Sequence, residues 1–349
     1  MLSAKYIPYT LDFLRPAGTS RGVLNRKPCW FIRLSDENGI SGLGEVSFIP
    51  GLSVEDPGEM EINLDHICKL INRGEMDPLQ PLPALPGIQF ALETALRDME
   101  QGGNRILYPS LFTEEKSGIL TNGLIWMGDR ATMLEQIRGK MEAGFRVLKM
   151  KVGALDFEEE LEVLRFIRTE CGAGDLEIRL DANGAWKPEV ALEKLEEMAA
   201  FGIHSIEQPI AVGQPDAMAE LCREPVIPVA LDEELIGVSS GEERRRLLQQ
   251  IRPQYTVLKP GLLGGSSAAA DWIAAAGEVD AGWWVTSALE SNIGLSAIAQ
   301  WTFQQGVEMP QGLGTGQLFS NNFPSPLEMR GEQLWYRSEE PWDLQSLDL

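Results

Sequence analysis

The sequence predicts an α/β chain: a (β/α)8-type barrel with an N-terminal α+β capping domain that the C-terminal segment completes. Two observations carry this prediction. Short apolar stretches that end in a charged residue recur at intervals of 30, 26, 25 and 27 residues, marked by Lys151, Asp181, Glu207, Asp232 and Lys259. Residues 1 to about 105, and 316 to 349, lack that interval. A strand, a helix and their two loops need about that much chain, since the crossover alone takes at least about 10–12 residues. The chain therefore divides into a capping domain at 1–105, a barrel at 106–315 and a returning segment at 316–349. At 349 residues it has room for a barrel of about 250 residues and a smaller partner.

The clearest barrel stretch is Val147-Leu148-Lys149-Met150-Lys151-Val152. Residues two apart on a strand share a face, so Lys149 and Lys151 project together. An isolated pair of this kind reads more simply as protection of an edge strand. The four later stretches change that reading, ending in Asp181, Glu207, Asp232 and Lys259. Charges at the C-terminal ends of successive parallel strands converge on one mouth, where barrels of this type hold their active sites. Ile119–Met127 is the expected first strand, Gly282–Thr286 the seventh, and Glu308–Leu313 the weakly signalled eighth. Helices are expected at Phe157–Thr169, Pro188–Ala200, Gly241–Gln250 and Ser266–Ala276.

In the capping domain, Met1–Phe13 alternates weakly and reads as a strand, and Pro16–Gly22 as a polar loop. Pro28–Leu34 and Ile40–Val46 flank Asp36-Glu37-Asn38-Gly39, a hairpin signal. Helical spacing follows over Pro57–Arg73 and Leu85–Gln101.

The net charge of −22 argues against nucleic acid and anionic membrane surfaces as partners. No run of 18 apolar residues suggests a membrane span, and the first residues lack the layout of a signal peptide. The four scattered cysteines read as reduced thiols in a cytoplasmic protein. The expected partner is a small-molecule carboxylate substrate; the sequence sets no oligomeric state.

Asp181, Glu207 and Asp232 fall at three adjacent strand ends with no histidine or cysteine beside them. An all-oxygen set suits Mg²⁺, with Mn²⁺ as a substitute, over zinc. Lys151 and Lys259 belong to strands two and six and should face each other across the mouth. A lysine beside a divalent cation and a second ammonium has a lowered pKa and can serve as a base. The set therefore suits removal of a proton from the carbon next to a carboxylate.

Lys149-Met150-Lys151, Asp181-Ala182-Asn183, Glu207-Gln208-Pro209, Leu231-Asp232-Glu233 and Leu258-Lys259-Pro260 resemble the enolase superfamily in its muconate-lactonizing subgroup. The resemblance covers essentially the whole chain and implies a modified TIM barrel whose capping domain closes over the mouth. It assigns Asp181, Glu207 and Asp232 as metal ligands, Lys151 as the base and Lys259 as the group on the other face. The superfamily's use of a lysine or histidine base with Mg²⁺ is a general property of such sites. Branches that use a late barrel histidine do not fit, because none follows His204. Dipeptide-epimerase members carry an Asp-x-Asp on the eighth strand, and residues 308–316 have none. Thr19–Gly22, Ser287–Gly294 and Gly312–Gly316 resemble the subgroup's dehydratases of menaquinone biosynthesis. In that reading Lys259 stays protonated. N-succinylamino-acid racemisation with the same two lysines is the alternative, then other muconate-lactonizing chemistry. A non-enzymatic barrel binding protein would require the five charged ends to coincide by accident.

Lys149, Asn183, Ser287, Glu290 and Arg21 complete the expected site as substrate-binding residues. Lys149 tunes Lys151 or touches the substrate carboxylate, and Asn183 is a supporting donor or turn chemistry. Arg21 and the Ile49–Ser53 loop are closure candidates by the resemblance alone. Arg179 shares the Asp181 face and is expected to pair with a ligand carboxylate. His204 reads as structural, and Trp283-Trp284 as core.

Overall fold

The computed structural model describes residues 2–19 and 22–347. It opens on a three-stranded antiparallel sheet of β1 (Ser3–Thr19), β2 (Gly22–Ser35) and β3 (Ser41–Val46), followed by helices α1 (Met60–Asn72) and α2 (Pro86–Glu100). The Asp36–Gly39 turn joins β2 to β3 as the sequence predicts. The expected loop at Pro16–Gly22 is largely strand instead: β1 and β2 continue as a long hairpin, pairing Ala17 with Leu24 and Thr19 with Gly22. Pro16 is accommodated because the register jumps between Asp12 and Ala17. In such a bulge its missing N–H forfeits no ladder bond. Phe13 there bridges to Phe319 of the C-terminal segment.

Both faces of this sheet are covered. Trp30, Ile32 and Leu34 meet the helices through Leu64, Ile88, Ala91 and Leu92. Cys29 and Phe31, pointing the other way, meet Phe319, Phe323 and Leu347. That is the two-residue period of a strand, and it explains why Cys29–Leu34 reads as a nearly unbroken apolar run. β3 lies so close to α2 that a Cβ at Gly44 would overlap the Ala91 carbonyl. Gly44→Ala is expected to destabilise the protein by about 3 kcal/mol, read as a lower melting temperature. An unchanged temperature would mean that α2 can withdraw freely.

The barrel sheet is parallel, in the order β5 (Gly123–Ile125), β6 (Val147–Lys151), β7 (Glu177–Asp181), β8 (Ser205–Glu207), β9 (Val229–Leu231), β10 (Tyr255–Leu258) and β11 (Gly282–Val285). Its helices are α3 (Arg130–Glu142), α4 (Phe157–Glu170), α5 (Pro188–Ala199), α6 (Pro215–Arg223), α7 (Gly241–Ile251), the single turn α8 (Pro260–Leu263), α9 (Ser266–Gly277) and α10 (Asn292–Gln304). The expected first strand is split. β4 (Ile119–Leu120) pairs antiparallel with β13 (Gln333–Tyr336), which itself pairs with β12 (Leu327–Arg330); only Gly123–Ile125 joins the barrel. The eighth strand is reduced to Gln311 and Gly312, bridged in parallel to Thr121 and Thr286. Those two residues close the ring between β11 and β5, so β6 and β10 stand opposite each other. No helix among the described residues is long and apolar enough to cross a membrane.

Candidate active site

Parallel register brings the charged residues level. Lys151 stands beside Asp181, and Asp181 beside Glu207, on neighbouring strands. Asp232 and Lys259 follow the last residues of β9 and β10. All five lie at the barrel's C-terminal end. A cavity of about 190 Å³ opens there, lined by Lys149, Lys151, Asp181, Asn183, Asp232, Lys259 and Ser287.

Asp181, Glu207 and Asp232 are essentially fully buried, and each offers an oxygen within 4.8 Å of the others. Three buried carboxylates this close repel one another unless cations intervene. Lys149 Nζ pairs with Asp181 Oδ2 at 2.9 Å and donates to Glu207. Lys151 Nζ donates to Asp181 Oδ2 at 3.0 Å and to Asn183 Oδ1 at 2.7 Å. Lys259 donates to Asp232. Glu207 Oε1 and Asp232 Oδ2 are nevertheless buried with no hydrogen-bond partner among the described residues. Burial pushes the Glu207 carboxyl up to about 7, against the pull of Lys149. Burial also opposes the charge on Lys149, but Asp181, Glu207 and Asp232 outweigh it and hold the ammonium above its ordinary value. Burial likewise opposes the Asp181 charge, and Lys149, Lys151 and Lys259 hold that carboxyl well below the usual range. Lys259 is raised in the same way: burial disfavours its charge, and Asp232 and Glu233 overcome that. An all-oxygen trio with two orphaned buried carboxylate oxygens fits a hard divalent cation.

Supporting groups hold this set. Asn183 adopts a left-handed backbone, φ +46°, and its amide Nδ2 donates to Glu233 Oε1 at 2.9 Å. Its side chain thus spans from Lys151 to Glu233. Gln208 accepts from the Asp232 and Glu234 amides, each at 3.3 Å, fixing the turn after β9. Ser287 Oγ and Thr315 Oγ1 lie 2.6 Å apart on the wall below. Leu24, Ile49, Pro50, Leu52 and Leu289 give the cavity an apolar roof. Glu55 tethers the 49–53 loop by accepting from the Gly87 amide at the start of α2, at 2.5 Å.

Two expectations are overturned. Glu290 does not line the cavity. It is fully buried behind it, accepting from Ser47 Oγ at 2.6 Å and from the Ala288 amide at 2.7 Å. Arg179 does not pair with a ligand carboxylate. The lysines already occupy Asp181, and Arg179 is level with Lys149 on β6, so it turns down the barrel. There it donates to Glu177 at 2.7 Å and to the Pro310 carbonyl at 2.8 Å, over the ring of buried Trp284. His204 packs on Tyr255 and lies 3.0 Å from Ser205 Oγ, away from the mouth. Arg21 lies outside the described residues. The sequence reading missed Asn122, just before β5, Thr286, just after β11, and Thr315, in the turn after Gly312. It also missed Leu24, Trp126 and Leu289, which carry no signal of their own.

A barrel with three buried carboxylates and flanking lysines at the C-terminal ends of its strands defines the class, and comparison with known proteins agrees. Residues 132–331 match the family model described as enolase C-terminal domain-like. The chain belongs to that family. It is 46% identical over 352 aligned residues to an o-succinylbenzoate synthase of Desulfotalea psychrophila, covering 92% of this chain and 95% of that one. The crystal structure of MenC from Desulfotalea psychrophila LSv54 superposes with a TM-score of 0.86 at 41% identity, covering 96% and 99% of the two chains. The L-Ala-D/L-Glu epimerase of Bacillus subtilis shares the fold, with a TM-score of 0.83 at 19% identity over 98% and 99%.

Proposed function

We propose that the chain catalyses the o-succinylbenzoate synthase reaction, dehydrating 2-succinyl-6-hydroxy-2,4-cyclohexadiene-1-carboxylate to 2-succinylbenzoate in menaquinone biosynthesis. The observation that carries this reading is the trio Asp181, Glu207 and Asp232, flanked by Lys151 and Lys259 on opposite strands of one cavity. The likeness to the Desulfotalea synthase supports the choice of substrate. Those three carboxylates would hold Mg²⁺, which when bound supplies positive charge to the substrate carboxylate and acidifies the adjacent carbon. Lys151, as the free amine, takes the proton from that carbon. The same nitrogen then returns it to the departing hydroxyl on that face. The C–O bond breaks, water leaves, and the electron pair of the former C–H bond completes the aromatic ring. Lys259, kept as an ammonium, offsets the negative charge that develops between those steps. Asn183 and Asp181 hold the Lys151 amine in place. Ser287 faces the rest of the substrate, and Leu24, Ile49 and Leu52 exclude water from above. We further propose functional units divided near residues 105 and 315, and a cytoplasmic setting, in keeping with the free cysteines Cys29, Cys68, Cys171 and Cys222.

The test is loss of diene absorbance on adding that substrate, with and without Mg²⁺, beside exchange of the α-proton of N-succinyl amino acids in D₂O. Mg²⁺-dependent loss without exchange is expected. Exchange without dehydration would overturn the reading in favour of racemisation. Glu207→Gln is expected to weaken Mn²⁺ binding by more than about a hundredfold, measured by calorimetry. An unchanged affinity would place the metal elsewhere.

A further inference from the structure

Behind the cavity lies a second buried charged group that the proposed reaction does not use. Lys27 of β2 is fully buried, and its ammonium makes no hydrogen bond among the described residues. Its nearest carboxylate oxygen is Glu45 Oε1 of β3, 3.8 Å away, and Glu45 is also fully buried. Glu45 reaches across to the start of α10, accepting from the Ser291 and Gly294 amides, each at 3.0 Å, and from Ser291 Oγ at 2.5 Å. Glu290 answers in the other direction, accepting from Ser47 Oγ just after β3. The Lys27 charge also acts on Glu290, lessening the upward push that burial and Glu45 exert on its carboxyl. Each carboxylate therefore crosses the seam between the N-terminal sheet and the barrel, with Lys27 beside Glu45 and its charge felt at Glu290.

What the seam touches gives it a role. Leu24, three residues before Lys27, lines the cavity roof, as do Ile49 just after Ser47, and Leu289 just before Glu290. The Ser47–Glu290 pair also presses on Gly261, two residues after Lys259. A Cβ on Gly261 would lie 2.5 Å from Glu290 Oε1 and 2.6 Å from Ser47 Cβ. The turn that aims Lys259 is thus packed against the pair. Buried ion pairs seldom add net stability over apolar packing, and in some proteins their role is to fix one arrangement. An ion cluster in a seam between two layers specifies their relative position in a way that apolar contacts, which tolerate sliding, do not.

We propose that Lys27, Glu45 and Glu290 form a charged clasp that seats the capping layer on the barrel mouth and braces the turn after Lys259. They are positioning residues outside the cavity. The inference rests on the proposed reaction only in assigning Lys259 a role in it.

The charge balance makes the test sharp. Lys27→Met leaves buried Glu45 without its cation and removes the positive charge nearest to that seam's two carboxylates. It is expected to raise KM about tenfold with a smaller change in kcat, and to quicken hydrogen exchange in segments 47–53 and 287–294. Lys27→Met combined with Glu290→Gln removes one charge of each sign and is expected to recover about fivefold of that loss and slow the exchange again. A purely volumetric role predicts a double variant at least as impaired as Lys27→Met. That outcome, or a folded Lys27→Met protein with unchanged KM and exchange, overturns the clasp. Should Lys27→Met fail to fold, Ser47→Ala severs the Glu290 bond without stranding a charge. Faster exchange at 287–294 then supports the clasp, and unchanged exchange overturns it. The exchange measurement needs no turnover, so an inactive wild-type protein would remove the proposed reaction while still testing the clasp.

Discussion

Replacing Lys151 with alanine is expected to lower kcat by about 10⁴-fold, with KM and Mn²⁺ affinity nearly unchanged. In the proposed mechanism this one nitrogen acts twice, first removing a proton and then delivering it to the leaving hydroxyl. Its surroundings suit that double duty. Asn183 Oδ1 and Asp181 Oδ2 hold the amine at 2.7 and 3.0 Å, and Asn183 is itself braced by Glu233. Among the described residues, no histidine lines the cavity to stand in for it. Lys149 is close by but committed to Asp181 and Glu207 deeper in the trio, so it is poorly placed to substitute. The check is steady-state turnover with melting temperature and Mn²⁺ binding measured on the same preparation. Turnover within tenfold of wild type, on a folded and metal-competent protein, would mean that the base is another group.

The parts of this site that could be read from the chain are those that repeat. Five charged strand ends at nearly constant spacing define one mouth, because parallel strands of similar length must finish level. Parallel register then puts Lys151, Asp181 and Glu207 side by side. The helices that read clearly, such as α4 and α5, bury one stripe and expose the other. α10 is buried through nearly its whole length from Ile293 to Thr302, so it shows no polar face to mark its period. α3 fails for the opposite reason, burying only Met133 and Ile137, and α6 is only nine residues long. The strand over Ile119–Met127 is misread because its two ends serve different sheets, a division set by the distant β13. Glu290 shows the limit for side chains. Its position at a loop beside Ser287 places it near the substrate, but the hydrogen bond that turns it away comes from Ser47, just after β3 and more than two hundred residues earlier. A carboxylate turned away by a long-range contact looks the same in sequence as one turned toward a ligand.

Lys259 separates the two reactions that the same constellation could run. Dehydration asks it only for positive charge, whereas racemisation asks it to take and give a proton on the second face. Arginine keeps the charge and can pair with Asp232, yet it does not give up its proton in a protein. Lys259→Arg is therefore expected to retain measurable dehydration, while Lys259→Ala, which strips the charge as well, falls by about 10²–10³-fold. For N-succinyl amino acids, neither variant is expected to interconvert the enantiomers. Any α-proton exchange that the wild-type protein showed would survive in either variant from the Lys151 face alone. The comparison is internal, since both variants alter the same buried position beside Asp232, and arginine keeps the positive charge that alanine removes. Equal loss of dehydration in the two variants would show that Lys259 serves as a base or through its shape. The charge-stabilising role would then fall, even if the substrate is assigned correctly.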